Sequence, residues 1–113
     1  MMIFRNTPQS EEAFAQMSPE EMQASLEKWN SWIGGIAAQG KLVGSDALEG
    51  GGKILSGAKK AVTDGPYVES KELVSGYLIM QAANEAEAVE NSKGCPIFEI
   101  DGSVEVRKLM VFE

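Results

Sequence analysis

Leu73-Val74-Ser75-Gly76-Tyr77-Leu78-Ile79-Met80-Gln81 is the stretch that decides the fold. It is rich in β-formers, and its second half is apolar on both faces. That pattern suits a central strand covered on both sides. Immediately upstream, Thr63-Asp64-Gly65-Pro66-Tyr67-Val68-Glu69-Ser70-Lys71-Glu72 is a break followed by a loop. Asp64 can bond backbone N–H groups two residues on, Gly65 tolerates positive φ, and Pro66 fixes its own φ. Further back, Lys53–Ser56 and Lys60–Thr63 read as two short strands around Gly57-Ala58. Leu42–Leu48 reads as an irregular strand, and Gly50-Gly51-Gly52 as a turn.

Ser18-Pro19-Glu20-Glu21 is a helix start, with Ser18 as cap, Pro19 at the first helical position and Glu21 three residues on. Met22, Leu26, Trp29, Ile33, Ile36 and Ala37 then fall on one face. Gly34-Gly35 weakens that helix, for a bend or for close approach of a strand, and Gly40 stops it. Met1–Arg5 reads as a first strand and Asn6–Met17 as a loop. Downstream, Asn84 caps a short second helix that ends near Gly94 and buries Ala86 and Val89. Val104–Val111 reads as the last strand.

The order is strand, long helix, a group of strands, short helix, strand. This gives a single α+β domain over residues 1–113, with a largely antiparallel sheet and helices on one face. Two β-α-β-like halves suggest a ferredoxin-like plan. The other sheet face is bare unless a second subunit covers it, so a homodimer is expected.

Composition narrows the function. The net charge is −7, and such a chain is repelled by phosphate backbones and anionic lipid. Nucleic-acid and membrane partners are not expected. No apolar run spans a bilayer and no signal peptide is visible, so a cytoplasmic location is expected. The single cysteine, Cys95, excludes an intrachain disulfide and reads as a small buried hydrophobe. With no histidine, the commonest general base and metal ligand are both missing, and neither a metal nor a cofactor is expected. The three glycines lack the Lys-Ser/Thr ending of a phosphate loop.

Two clusters could carry chemistry. The first is the Asp64 loop, which is either a rigid turn or a scaffold presenting charges to a cleft. In the second reading Asp64 or Glu72 is a catalytic base, and Tyr67, Glu69 and Lys71 contact a ligand. The second is Ser103-Val104-Glu105-Val106-Arg107, whose alternation turns the valines to the helices and Glu105 and Arg107 to the other face. Arg107 could anchor a carboxylate or phosphate, or the pair could form a salt bridge; Arg5 on the first strand reads the same two ways. Trp29 belongs to the helical stripe and Trp32 to its edge; Tyr77 reads as structural.

Thr63-Asp64-Gly65-Pro66-Tyr67 with Glu69, Lys71 and Glu72, then Gly76-Tyr77, then Gly102-Ser103-Val104-Glu105-Val106-Arg107, resembles the YCII-related domain. It is most similar to the branch named for its Asp-Gly-Pro-Phe loop, with Tyr67 in place of Phe. Ile3-Phe4-Arg5, Ser18-Pro19-Glu20-Glu21-Met22 and Cys95-Pro96 also fit, so the resemblance spans essentially the whole chain. It implies a ferredoxin-like fold pairing into a dimeric α/β barrel, with a cleft near the Asp-Gly-Pro loop. Some YCII-type proteins carry a His-Asp pair proposed as catalytic. That mechanism does not carry over to a chain without histidine. The expectation is a homodimer of uncharacterised role whose polar cleft binds a small anionic or polar ligand. The rivals are a lyase or isomerase working through a carboxylate base, and a non-catalytic regulatory or interaction module.

Overall fold

The computed structural model describes residues 1–49, 51–64 and 73–112. Strand β1 (Met2–Asn6) is followed by helix α1 (Pro8–Ala15), helix α2 (Pro19–Ala38) and strand β2 (Leu42–Ala47). Strands β3 (Lys53–Ser56) and β4 (Ala61–Asp64) come next, then β5 (Leu73–Met80), helix α3 (Glu85–Ser92), a 3-10 helix at Pro96–Ile100 and strand β6 (Ser103–Val106). The main sheet is antiparallel in the order β2-β5-β1-β6. This is the ferredoxin-like arrangement, with two crossover helices on one face. Strands β3 and β4 form a separate two-stranded ribbon inserted between β2 and β5.

The period of two sorts the side chains. Met2 and Phe4 on β1 and Leu78 on β5 are buried on the helix side. They pack with Ile36, Cys95 and Ile97, and with the half-buried Trp29, Trp32, Val104 and Val106. Phe4, Trp29 and Trp32 meet edge to face in pairs, with ring centroids 5.2–5.9 Å apart. Each such pair adds about 0.5–1.5 kcal/mol beyond the area it buries. Trp32 is anchored further by its indole N–H, which donates to Asn91 O at 2.9 Å.

Two motif glycines have a steric reason. A Cβ on Gly76 would lie 2.7 Å from the Asp46 carbonyl oxygen, so β2 and β5 close only over a glycine. A Cβ on Gly102 would lie 2.3 Å from Ile97 Cγ1 and 2.9 Å from the Arg5 carbonyl oxygen. The 3-10 helix is thereby pressed onto the end of β1.

Several local expectations need correction. Asn6–Met17 is not a loop: Thr7 caps α1 by accepting from Ser10 N–H at 3.1 Å, with Pro8 at the first helical turn. The last strand ends at Val106, not Val111. Arg107 N–H bonds Met1 O at 2.8 Å, and beyond that point the described residues offer no neighbouring strand. Leu109 to Phe112 are exposed. Helix α3 buries Ser92 rather than Ala86 and Val89, because its inward row runs through Ala88, Asn91 and Ser92. Among the described residues, Gly34 and Gly35 serve no close approach: α2 runs through both, and a Cβ at either would meet none of them within 4 Å. Ala37 is exposed too, and Leu26 is 58% exposed although it lies on the apolar stripe.

Candidate functional site

The exposure of Leu26 has a cause. The sequence puts an apolar residue there, but the middle of α2 faces a cavity of about 680 Å³ rather than packed core. Helix α1 supplies Phe14 to its wall, and α2 supplies Leu26, Trp29 and Ile33. The sheet contributes Phe4, Gly76 and Ala47. Helix α1 is held in place by the Ser10 hydroxyl, which donates to the Ile100 carbonyl oxygen. A cavity of this size, aromatic-walled with a few polar groups, has the dimensions of a small-molecule site.

Its polar groups are few. Asn6, at the end of the inward row Met2, Phe4, Asn6, presents a buried Oδ1 that accepts no hydrogen bond among the described residues. A buried acceptor left bare costs about 1–3 kcal/mol, which a donor from a bound molecule would recover. Asn30, Ser45 and Ser75 add further polar atoms, and Ser45 and Ser75 already donate to the Tyr77 and Phe4 carbonyl oxygens at 3.1 and 3.3 Å. Asp46 and Glu49 are the charged residues of the described lining, but Asp46 lies opposite Tyr77 in the sheet and turns its carboxylate to the face away from the helices. The Asp46 carboxylate is engaged by the Tyr77 hydroxyl, which donates at 2.7 Å and whose own pKa is raised by that bond.

The sheet face away from the helices carries a different cluster. Arg5 and Glu105 lie on it, with Ile3, Val74, Tyr77 and Ile79. Arg5 Nη2 is 3.6 Å from Glu105 Oε1, and Arg107 Nη1 is 3.3 Å from Glu105 Oε2. One carboxylate therefore holds two guanidinium groups, which partly satisfies both. These exposed pairs contribute about 0–1 kcal/mol each. The arrangement turns Glu105 and Arg107 away from the helices, as the alternation predicts.

The remaining candidates divide sharply. Asp64 ends β4, with its backbone opposite Lys53. Tyr67, Glu69, Lys71 and Glu72 lie outside the described residues. The chain re-enters the described structure at Leu73, which pairs with Asn6 at the cavity wall. Cys95 is buried, and burial pushes its thiol up to about 11, so it is no thiolate at neutral pH. Among the described residues no group of histidine, cysteine and carboxylates is placed to hold a metal. No helix is long and apolar enough to cross a membrane.

Sequence reasoning missed Asn6, Phe14 and Glu49. Two signals could have found the first two. Asn6 is a polar residue on the inward phase of β1, and Thr7-Pro8 repeats the capping pattern of Ser18-Pro19.

The sequence profile of the YCII-related domain matches residues 1–113. The chain belongs to the YCII-related family. No curated protein matches it. The family assignment gives a reason to treat Gly76 and Gly102 together: both belong to stretches by which the chain resembles YCII-related domains, and both sit where the sheet closes tightly. For a YCII-related domain without histidine, the chemistry on offer in the described cavity is that of carboxylates, amides and hydroxyls.

Proposed function

We propose that this YCII-related protein is a homodimeric small-molecule-binding protein whose ligand occupies the cavity between α1, α2 and the sheet. The observation that carries the reading is Asn6 Oδ1, buried at the wall of an aromatic cavity with no hydrogen-bond partner among the described residues. The ligand has an apolar body and an N–H or O–H donor for Asn6. It is neutral or cationic, because among the described residues no lysine or arginine lines the cavity to receive an anion. An anionic ligand is less well served there, and on the opposite sheet face Glu105 already holds Arg5 and Arg107. That face, with Ile3, Val74 and Ile79, is the surface through which two copies pair. The Arg5–Glu105–Arg107 cluster braces it. The Asp-Gly-Pro loop supports a place in the branch named for that motif, and a cytoplasmic setting suits a chain with one buried, free cysteine.

A thermal-shift screen with small amines, alcohols, amides and carboxylates tests the ligand reading. A ligand at about 100 times its Kd adds roughly 2.7 kcal/mol of stability. Neutral or cationic donors raise the melting temperature, and Asn6→Leu removes the effect. A response confined to carboxylates, or one that survives Asn6→Leu and a cavity-filling Ser25→Trp, rejects it. A second reading is proton transfer by a carboxylate base. It is favoured by the pairing of Leu73 with Asn6, because Glu72 directly precedes Leu73. Once a ligand is known, conversion by the wild type and loss of turnover, with binding kept, in Glu72→Gln or Asp64→Asn support it. Binding without turnover rejects it.

A further inference from the structure

Among the described residues, the β3–β4 ribbon pairs with no strand of the main sheet. Its strands bond to each other from Lys53 to Asp64 and belong to a sheet apart from the main one. Every residue from Lys53 to Val62 is exposed. Leu55 and Val62 sit opposite each other on one side of the ribbon, 62% and 59% exposed; Ile54 is on the other side. A lone two-stranded hairpin is marginal in water, and exposed apolar strands invite pairing with another chain. A ribbon with this pattern calls for a cover.

Charge selects the cover. Lys53 to Thr63 contains three lysines, Lys53, Lys59 and Lys60, and no acidic residue, on a chain of net charge −7. Lys59 and Lys60 stand at the turn of the hairpin. The exposed surface of the rest of the chain is rich in carboxylates, with Glu20, Glu21 and Glu27 on α2 and Glu85 and Glu90 on α3. The ribbon is thus complementary in charge to a second copy of the chain that carries it. Its position agrees: β2, which leads into it, is an edge strand of the main sheet. The ribbon follows that edge strand along the chain.

We infer that the β3–β4 hairpin is an intersubunit arm, with Leu55 and Val62 packing on a second copy of this chain and Lys59 and Lys60 facing its carboxylates. The inference rests on the homodimer reading above and adds to it a contact outside the sheet face.

The test is sedimentation equilibrium of the full chain in about 50 mM and about 500 mM salt, which lengthens or shortens the range of exposed charges. The proteins are the wild type, Leu55→Ser/Val62→Ser, Lys59→Glu/Lys60→Glu and the sheet-face variant Ile79→Lys. The arm predicts that each hairpin double variant raises the dimer Kd about tenfold or more. It also predicts that salt weakens the wild type more than Lys59→Glu/Lys60→Glu. Hydrogen exchange on the wild type gives a readout that needs no variant to fold. Amides of residues 53–63 should be slower above the dimer Kd than below it. Unchanged Kd in both hairpin variants, with dissociation in Ile79→Lys, overturns the arm and leaves the sheet-face dimer standing. A wild type monomeric at every concentration overturns both. Cosedimentation with phosphatidylserine vesicles that is lost in the hairpin variants, with self-association unchanged, assigns the ribbon to a membrane surface and overturns the arm.

Discussion

Replacing Gly34 and Gly35 together by alanine should stabilise the protein. Both lie inside α2, three and four residues before its last residue, and α2 is unbroken across them. Both are exposed, and among the described residues a Cβ at either meets nothing within 4 Å. No steric cost offsets the gain in helix propensity. Alanine is favoured over glycine by about 0.5–1 kcal/mol per helical position, mainly because the unfolded chain has less freedom to lose. The pair should therefore add about 1–2 kcal/mol. For a domain of this size that corresponds to a rise of roughly 4–8 °C in melting temperature. Urea denaturation should show a higher midpoint with an unchanged slope. A lower melting temperature at every protein concentration would refute the reasoning, because it would mean that these positions contact something within the protomer. A loss seen only at high concentration would place them in a subunit interface instead.

Gly102→Ala should destabilise by about 1–3 kcal/mol, read by urea denaturation, since its Cβ would collide with Ile97 and the Arg5 carbonyl oxygen; unchanged stability would mean that the 3-10 helix moves freely off β1. The Lys41 ammonium bonded to Glu87 holds that carboxyl below its ordinary value, so the contribution is complete above the unfolded pKa of 4.5 and is lost as pH falls through the folded value. The difference in melting temperature between wild type and Lys41→Met should therefore close in acid, and a difference that widens below that pH would contradict the assignment. Glu105→Gln should cost little stability, the pairs being exposed, yet it releases Arg5 and Arg107; calorimetric titration with phosphate should show binding gained relative to wild type.

The fold was legible because its signals are local and redundant. Ser18-Pro19 and Asn84 each place a helix start, and in the structure Ser18 Oγ and Asn84 Oδ1 accept from Glu21 and Glu87 N–H. Leu73–Met80 is central because its neighbours on both sides are strands, β2 and β1. What was not legible depends on tertiary context. The strand after Gly102 keeps its β-forming residues to Val111, yet a strand lasts only as long as its pairing does, and the described pairing with β1 reaches only to Met2 opposite Val106. Helix α3 was assigned the wrong face because three inward positions, Ala88, Asn91 and Ser92, are small or polar. Its phase is set by what it packs on rather than by hydropathy. The separation of β3–β4 from the main sheet is a matter of pairing, which strand composition does not encode.

The arginine face and the cavity differ in electrostatics. From the sequence, Arg5 and Arg107 read either as anchors for a ligand or as salt-bridge partners, because an alternating strand turns them out of the core. The structure puts Glu105 between them, and an anion arriving there must displace a carboxylate already held at 3.6 and 3.3 Å. Such exposed pairs are weak, but so is the reward for a single exposed anion in their place. On the helix side the balance is reversed. Phe4, Trp29, Phe14 and Leu26 leave apolar surface uncovered around Asn6 Oδ1, so filling the space gains both burial and a hydrogen bond. At roughly 25 cal/mol per Å² of apolar area, a few tens of Å² of buried wall already match one exposed ion pair. The apolar pocket, not the arginine face, has the larger unspent driving force for binding. That difference is why a neutral or cationic donor is the expected ligand and a phosphate is not.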